Sequence, residues 1–261
     1  MDQLKTALNY IHYRFTSKTP HGIHSPFVYH LLTEVIRDKK AYPCYKQIEL
    51  LRSSLLLDTR EVSITDLGAG SKSSKSSVRM VKALVRQAAK PARYAQLLFR
   101  LVNHFKPAVI LELGTSLGIS TLYLAAGNNK AQVLTIEGCP QIAALAKSNF
   151  TQAHQTHISL INGNFDAVLP TVIKEQQQLD FVFIDGNHRK QSTLDYFEKC
   201  LTRKTNTSVF VIDDIHWSAE MQQAWQQIKA HQEVTVSLDL FFMGIVFFRR
   251  EQTKEHFVIR F

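Results

Sequence analysis

The chain has 261 residues, 45% of them hydrophobic and 20% charged, with a formal net charge of +9. That is enough apolar mass for one large domain with a substantial core, and no stretch approaches the roughly 18 uncharged apolar residues of a membrane helix. MDQLKTALNYIHYRF lacks the apolar block and cleavage site of an export signal, and Cys44, Cys139 and Cys200 form no CxxC pair, so a soluble cytoplasmic protein without disulfides or a cysteine zinc site is expected.

Residues 1–60 read mainly as helices, with Leu4, Leu8, Ile11 and Phe15 on one expected apolar face and Phe27, Leu31, Leu32 and Val35 on a second. Between them lies a turn in which Ser25 suits a helix cap and Pro26 the first helical turn. His21 and His24 invite a metal reading. A zinc site needs three or four ligands and no further one is identifiable, so loop hydrogen bonding explains them more simply.

Ile64-Thr65-Asp66-Leu67-Gly68-Ala69-Gly70-Ser71 imitates the start of a nucleotide site. It follows only a short apolar run and leads into SKSSKSS, which reads as a mobile polar loop, so it is expected to be a decoy. Between Leu67 and Leu111 there is no acidic residue and there are nine basic ones, whereas the rest of the chain carries 22 of each sign. From Ser77 to Arg100 two helices are expected, broken at Pro91. Arg79, Lys82, Arg86, Lys90 and Arg93 would form a basic stripe opposite Val81, Leu84, Val85 and Ala88. Such a stripe is either a solvated face or the footing for an anionic ligand.

Beyond Lys106-Pro107 apolar strands alternate with amphipathic helices. Seven strands are expected, at 108–113, 132–137, 157–161, 180–185, 208–213, about 233–239 and 244–249. The first five are parallel and the last two, joined too closely for a crossover, make a hairpin. Residues 251–261 carry no readable pattern. The expected division is a helical cap over 1–106 and an α/β domain over 107–261.

Glu112-Leu113-Gly114-Thr115-Ser116-Leu117-Gly118 lacks two glycines of a dinucleotide GxGxxG turn and adds a carboxylate, which suits a cationic ligand and repels a pyrophosphate. Glu137 ends the next strand, where an acid holds ribose hydroxyls. Together these features describe S-adenosylmethionine better than NAD.

The sequence resembles the class I S-adenosylmethionine-dependent methyltransferases, in the small-molecule O-methyltransferase-like branch of catechol, caffeoyl-CoA and macrolide-sugar enzymes. The resemblance covers about residues 93–250 and is carried by ELGTSLGIS, LTIEG, INGNFDAVLP, FVFIDGNHR and VFVIDDIHW. It implies a Rossmann-like fold in which Glu112, Gly114, Thr115, Ser116 and Gly118 surround the methionine part and Glu137 the ribose. Gly138 and Cys139 would lie against the adenine, Asn164, Phe165 and Asp166 along its edge, and Asp185 near the amino-acid part or a metal. Helix capping explains Asn164 or Asp166 equally well.

On the acceptor side His188 is the expected general base, with Asp185 and Asp214 beside it. Asp185, Asp213 and Asp214 are a candidate site for Mg²⁺ or another divalent ion, because three acids at adjacent strand ends repel one another unless compensated. This chain departs from the catechol enzymes, which place Asp-Asn rather than Asp213-Asp214 on the fifth strand. Trp217 is a candidate pocket wall and Trp225 a core residue. The expected acceptor is a small hydroxylated molecule, anionic in one version. Alternatives are an RNA or protein acceptor footed on 67–106, disfavoured because no RNA module is recognisable, and a non-catalytic cofactor-binding protein. Residual apolar surface near Phe241-Phe242 would suit a homodimer.

Overall fold

The structure is a computed structural model and describes residues 3–64 and 78–261. The 66–71 glycine segment and the serine-lysine stretch after it lie outside the described residues. The chain opens with helix α1 (Gln3–Thr16). Ser25 caps α2 (Pro26–Leu31), its hydroxyl accepting from the Val28 N–H at 3.4 Å, and a π-helical turn continues over Leu32–Ile36. Then come α3 (Pro43–Leu57), the short pair β1 (Glu61–Ser63) and β2 (Val78–Met80), α4 (Val81–Ala88) and α5 (Ala92–Phe105), the last two separated at Pro91 as expected.

Strands and helices alternate from there: β3 (Val109–Leu113), α6 (Ile119–Gly127), β4 (Gln132–Glu137), α7 (Pro140–Gln152), β5 (Ile158–Asn162), α8 (Phe165–Glu175), β6 (Leu179–Ile184), α9 (Lys190–Leu201), β7 (Lys204–Asp213), α10 (Ala219–Ala230), β8 (Val236–Asp239), β9 (Met243–Phe247) and β10 (Glu255–Val258). Eight strands form one mixed sheet in the order β10-β8-β9-β7-β6-β3-β4-β5, a mostly parallel, Rossmann-like arrangement. The expected hairpin is present, β9 running antiparallel to both β8 and β7. The eighth strand was not expected: β10 pairs parallel with β8 from within the patternless tail. Four residues at a sheet edge need backbone partners more than a hydrophobic period, which is why they left no signal.

The chain packs as two compact units, Asp38–Val172 on the one hand and Met1–Arg37 with Ile173–Phe261 on the other. In the Asp38–Val172 unit, β3, β4 and β5 are parallel neighbours, and β3 reads VILEL because a central parallel strand is covered on both faces. Val81, Leu84 and Val85 of α4 pack with Phe99, Leu122, Tyr123 and Phe150 in a shared core. The basic stripe is shorter than expected. α4 ends at Ala88, Arg79 hydrogen-bonds Gln87 at 3.4 Å, and Arg93 lies over the Tyr94 ring, so Lys82 and Arg86 are what α4 itself carries.

In the other unit β6 and β7 are parallel, and Trp225 is buried against Gly244, where a Cβ would come within 2.5 Å of the indole. Leu31, Leu32 and Val35 are buried as expected, but Leu8, Ile11 and Phe15 of α1 are exposed, Phe15 by 85%. The helix is held through its tyrosines instead. The Tyr13 hydroxyl donates to the Ile259 carbonyl at 2.5 Å and accepts from the Phe261 N–H at 3.1 Å, and Tyr10 meets the Phe241 ring edge-on at 5.0 Å. Amphipathic rings that satisfy a tail strand's polar groups outcompete the aliphatic face.

Candidate functional site

The sequence-selected residues fall into two groups, one in each unit. In the Asp38–Val172 unit the chain leaves β3 at Gly114 and enters α6 after Gly118. Gly114 (φ 106°) and Gly118 (φ 82°) adopt left-handed backbone conformations, and a Cβ on Gly118 would stand 2.3 Å from the Phe150 ring, so a side chain is excluded twice over. The N–H groups of Gly114 and Thr115 both donate to the Ile136 carbonyl, at 3.1 and 3.2 Å, fastening the turn to β4.

Glu137 ends β4 directly over this turn. Its Oε2 accepts from the Ser116 N–H and its Oε1 from the Cys139 N–H, each at 2.9 Å. Burial pushes its carboxyl above the usual carboxylate range, while the N–H groups of Cys139, Ser116 and Gly138 pull the other way. The two acids of the turn are therefore differently placed. Glu112 is fully buried, and its Oε2 accepts from the hydroxyls of Thr121 at 2.5 Å and Thr135 at 2.7 Å, with Thr115 joined to Thr135 at 2.6 Å. This carboxyl group has no exposed surface and connects to the turn through the Thr135 and Thr115 hydroxyls.

Cys139 is also buried, its thiol 3.3 Å from Gln141 Oε1, whereas Gly138 is half-buried. Asn164 caps α8, its side-chain oxygen accepting from the Asp166 N–H at 2.8 Å, and Phe165 is half-buried between two exposed neighbours, Asn164 and Asp166.

In the other unit Asp185-Gly186-Asn187-His188 follows β6 and Asp213-Asp214-Ile215-His216-Trp217 ends and follows β7. His188 Nε2 stands 3.7 Å from Asp185 Oδ1, beyond hydrogen-bond range. Asn187 donates to the Tyr196 hydroxyl at 3.1 Å, and its buried side-chain oxygen has no partner among the described residues. Asp213 is fully buried at the end of the β7–β9 ladder, and Asp214 turns the chain at φ 53° with its N–H on the Phe242 carbonyl. Among the described residues no three His, Cys, Asp or Glu side chains group as metal ligands. The structure thus does not bring Asp185, Asp213 and Asp214 together as a ligand group among the described residues, and no step below runs through a metal.

Sequence reasoning missed the partners of these residues. Asp239, at the end of β8, accepts from His216 Nε2 at 2.8 Å and from Trp225 Nε1 at 3.2 Å on one oxygen, and from the Phe241 N–H at 2.8 Å on the other. His216 stacks on Phe241 at 5.0 Å and 16°. Trp217 (53%) and Phe242 (41%) are exposed beside them. One signal was available, an acid at a strand's carboxyl end. Five of the seven described non-glycine residues with positive φ, Ser116, Asn187, His188, Asp214 and Phe241, lie in loops leaving strand carboxyl ends, where strain collects at functional sites. His21 and His24 are exposed.

Residues 111–215 match the model of a family described as a methyltransferase domain. The O-methyltransferase imqG of Aspergillus flavus is 29% identical over 119 residues, which is 43% of this chain and 47% of that protein. The catechol O-methyltransferase of Niastella koreensis is 31% identical over 109 residues, 41% of this chain and 48% of that protein. The chain thus spans about half the length of the curated relatives it matches. An O-methyltransferase from Bacillus cereus, crystallised in complex with SAH, shares the fold with a TM-score of 0.57 at 19% identity, over 84% of this chain and 96% of that one. No described helix is long and apolar enough to cross a membrane.

Proposed function

We propose that this chain is a class I S-adenosylmethionine-dependent methyltransferase of the small-molecule O-methyltransferase-like branch, a reading supported by the methyltransferase-domain match and the similar O-methyltransferases, and that it transfers a methyl group to a hydroxyl oxygen of a small molecule. The observation that carries this reading is Glu137 standing over the Gly114–Gly118 turn, inside the segment that matches the family. A carboxylate held by two N–H groups is preorganised to accept both hydroxyls of a ribose, and the glycine turn leaves the room for backbone to approach a ligand.

S-Adenosylmethionine, when bound, supplies an electrophilic methyl group on a sulfonium. On this reading Gly114, Thr115, Ser116 and Gly118 line its methionine part, with Glu112 placing a negative charge beneath. Gly138, Cys139, Asn164, Phe165 and Asp166 border the base, and Asp185 faces the amino-acid part. Asp185, His188 and Asp214, which lie at or just past the carboxyl ends of β6 and β7, receive the acceptor. An acceptor with an anionic group would draw on Arg86, and Arg86→Glu then raises KM for anionic acceptors more than for neutral ones.

The test is calorimetric titration with S-adenosylmethionine and its demethylated product, followed by a labelled-methyl screen of small hydroxylated compounds and of RNA. Glu137→Ala is expected to weaken cofactor binding by about 1.5–3 kcal/mol, the loss of a charged hydrogen-bonding partner. Unchanged affinity removes Glu137 from the site. Methyl transfer to RNA alone, with steep salt dependence, rejects the small-molecule reading.

A further inference from the structure

Two histidines stand at the carboxyl ends of the strands in the Met1–Arg37 with Ile173–Phe261 unit, and the structure treats them differently. Asp239 receives three donors, His216, Trp225 and the Phe241 N–H, between 2.8 and 3.2 Å. A carboxylate that receives three donors is fixed in rotation. It can only accept, so the proton shared with His216 sits on Nε2, and a neutral His216 must carry its lone pair on Nδ1. That atom has no hydrogen-bond partner among the described residues. The ring's tilt is set by stacking on the buried Phe241, and the side chain is 22% exposed.

We propose that His216, oriented by Asp239, is the base that takes the proton of the acceptor hydroxyl, an inference that rests on the methyl-transfer reading above. A nucleophile's base held in one tautomer by an acid is the general logic of activated hydroxyls, and Asp239 is such an acid, only partly exposed. β7 and β8 both run antiparallel to β9 and hence parallel to each other, so His216 and Asp239 leave the sheet at one edge, the edge where open α/β sheets bind ligands. The exposed rings of Trp217 and Phe242 follow each of them in sequence and give the acceptor an apolar wall. In the step itself the acceptor O–H bond breaks, with its proton going to His216 Nδ1. The oxygen lone pair forms the new C–O bond as the C–S bond breaks, and that electron pair returns to sulfur, leaving a neutral thioether and an imidazolium. His188 lacks this support: its nearest carboxylate is 3.7 Å away and its own backbone is strained at φ 31°.

The decisive experiments use the whole chain and the hydroxylated acceptor that turns over in the screen. His216→Gln is expected to lower kcat by about 10²–10⁴-fold, the range for a lost general base, while acceptor KM and affinity for S-adenosylhomocysteine stay within about threefold, and added imidazole restores turnover to His216→Ala. Retained kcat, or imidazole rescue of His188→Ala in place of His216→Ala, overturns the proposal. A second measurement needs no acceptor and no variant that risks misfolding. Nitrogen NMR of the wild-type protein is expected to show His216 with its proton on Nε2, and Asp239→Asn to lose that preference; a proton on Nδ1 in the neutral wild-type ring overturns the assignment. If no compound is methylated but this tautomer is found, it is the methyl-transfer reading that has failed.

Discussion

The turn under Glu137 and the loops around His216 solve the same problem, fixing polar groups at a strand's carboxyl end, by different means. Around Gly114 the restraint comes from backbone: N–H groups of Gly114 and Thr115 on the Ile136 carbonyl, N–H groups of Ser116 and Cys139 on Glu137. Around Asp239 it comes mostly from side chains, an imidazole and an indole sharing one carboxylate oxygen. Backbone donors are present whatever the residue, so the first arrangement needs only glycines and one acid. The second needs particular side chains from three separate segments. A turn for a shared cofactor and a wall for a particular acceptor would differ in this way.

The largest expected effect tests how rigid the first region is. Gly118→Ala must place a side chain at φ 82° against Phe150, and it is expected to cost about 2–4 kcal/mol of stability, combining left-handed strain with overpacking. Chemical denaturation measures it, and Gly118→Ala with Phe150→Ala should recover the overpacking part. Full stability in the single variant would mean the turn is not as tightly built as described.

Thr135→Val comes next. It deprives the buried Glu112 of one donor and Thr115 of its partner, for an expected loss of about 1–3 kcal/mol. If affinity for S-adenosylmethionine falls as well, the hydroxyl relay couples Glu112 to the ligand; a pure stability loss confines it to scaffolding.

In the other unit Tyr13→Phe removes the hydroxyl shared by the Ile259 carbonyl and the Phe261 N–H, at about 0.5–1.5 kcal/mol. Faster proteolysis in α1 than elsewhere should accompany it. The smallest effect concerns pH. Burial, with the charges of Lys229 and Lys254, holds His256 below its ordinary value of 6.5, and its Nδ1 pairs with the Ser237 hydroxyl at 2.7 Å. The folded state therefore disfavours the imidazolium, so the related stability is present above 6.5 and is lost as pH falls through the lowered value. Because the residue is largely exposed, the Tm difference between wild type and His256→Gln should change by only about 1 °C between about pH 7.5 and 5. No change at all would detach β10 from any pH response.

The order of strands and helices from β3 to β9 was legible because each strand that packs on both faces must be apolar along its length, and each covering helix on one stripe. The Pro91 break, the Ser25 cap and the hairpin were legible for similarly local reasons. So were Gly114, Gly118 and Glu137, since a turn that excludes side chains and an acid that ends a strand are written in single positions. What misled was α1, where a correct apolar period pointed to a face that tertiary packing leaves exposed in favour of Tyr10 and Tyr13.

Sequence alone thus determined the sheet, the glycine turn and the acid above it, because their requirements are met by neighbours in the chain or by backbone that every residue has. Only the tertiary structure decided that Glu112 is buried and hydrogen-bonded by two threonines, that Asp213 is fully buried, and that Asp239 pairs with His216. Those outcomes depend on which side chains meet after residues 9 to 23 positions apart are brought together, and no local pattern encodes such a meeting.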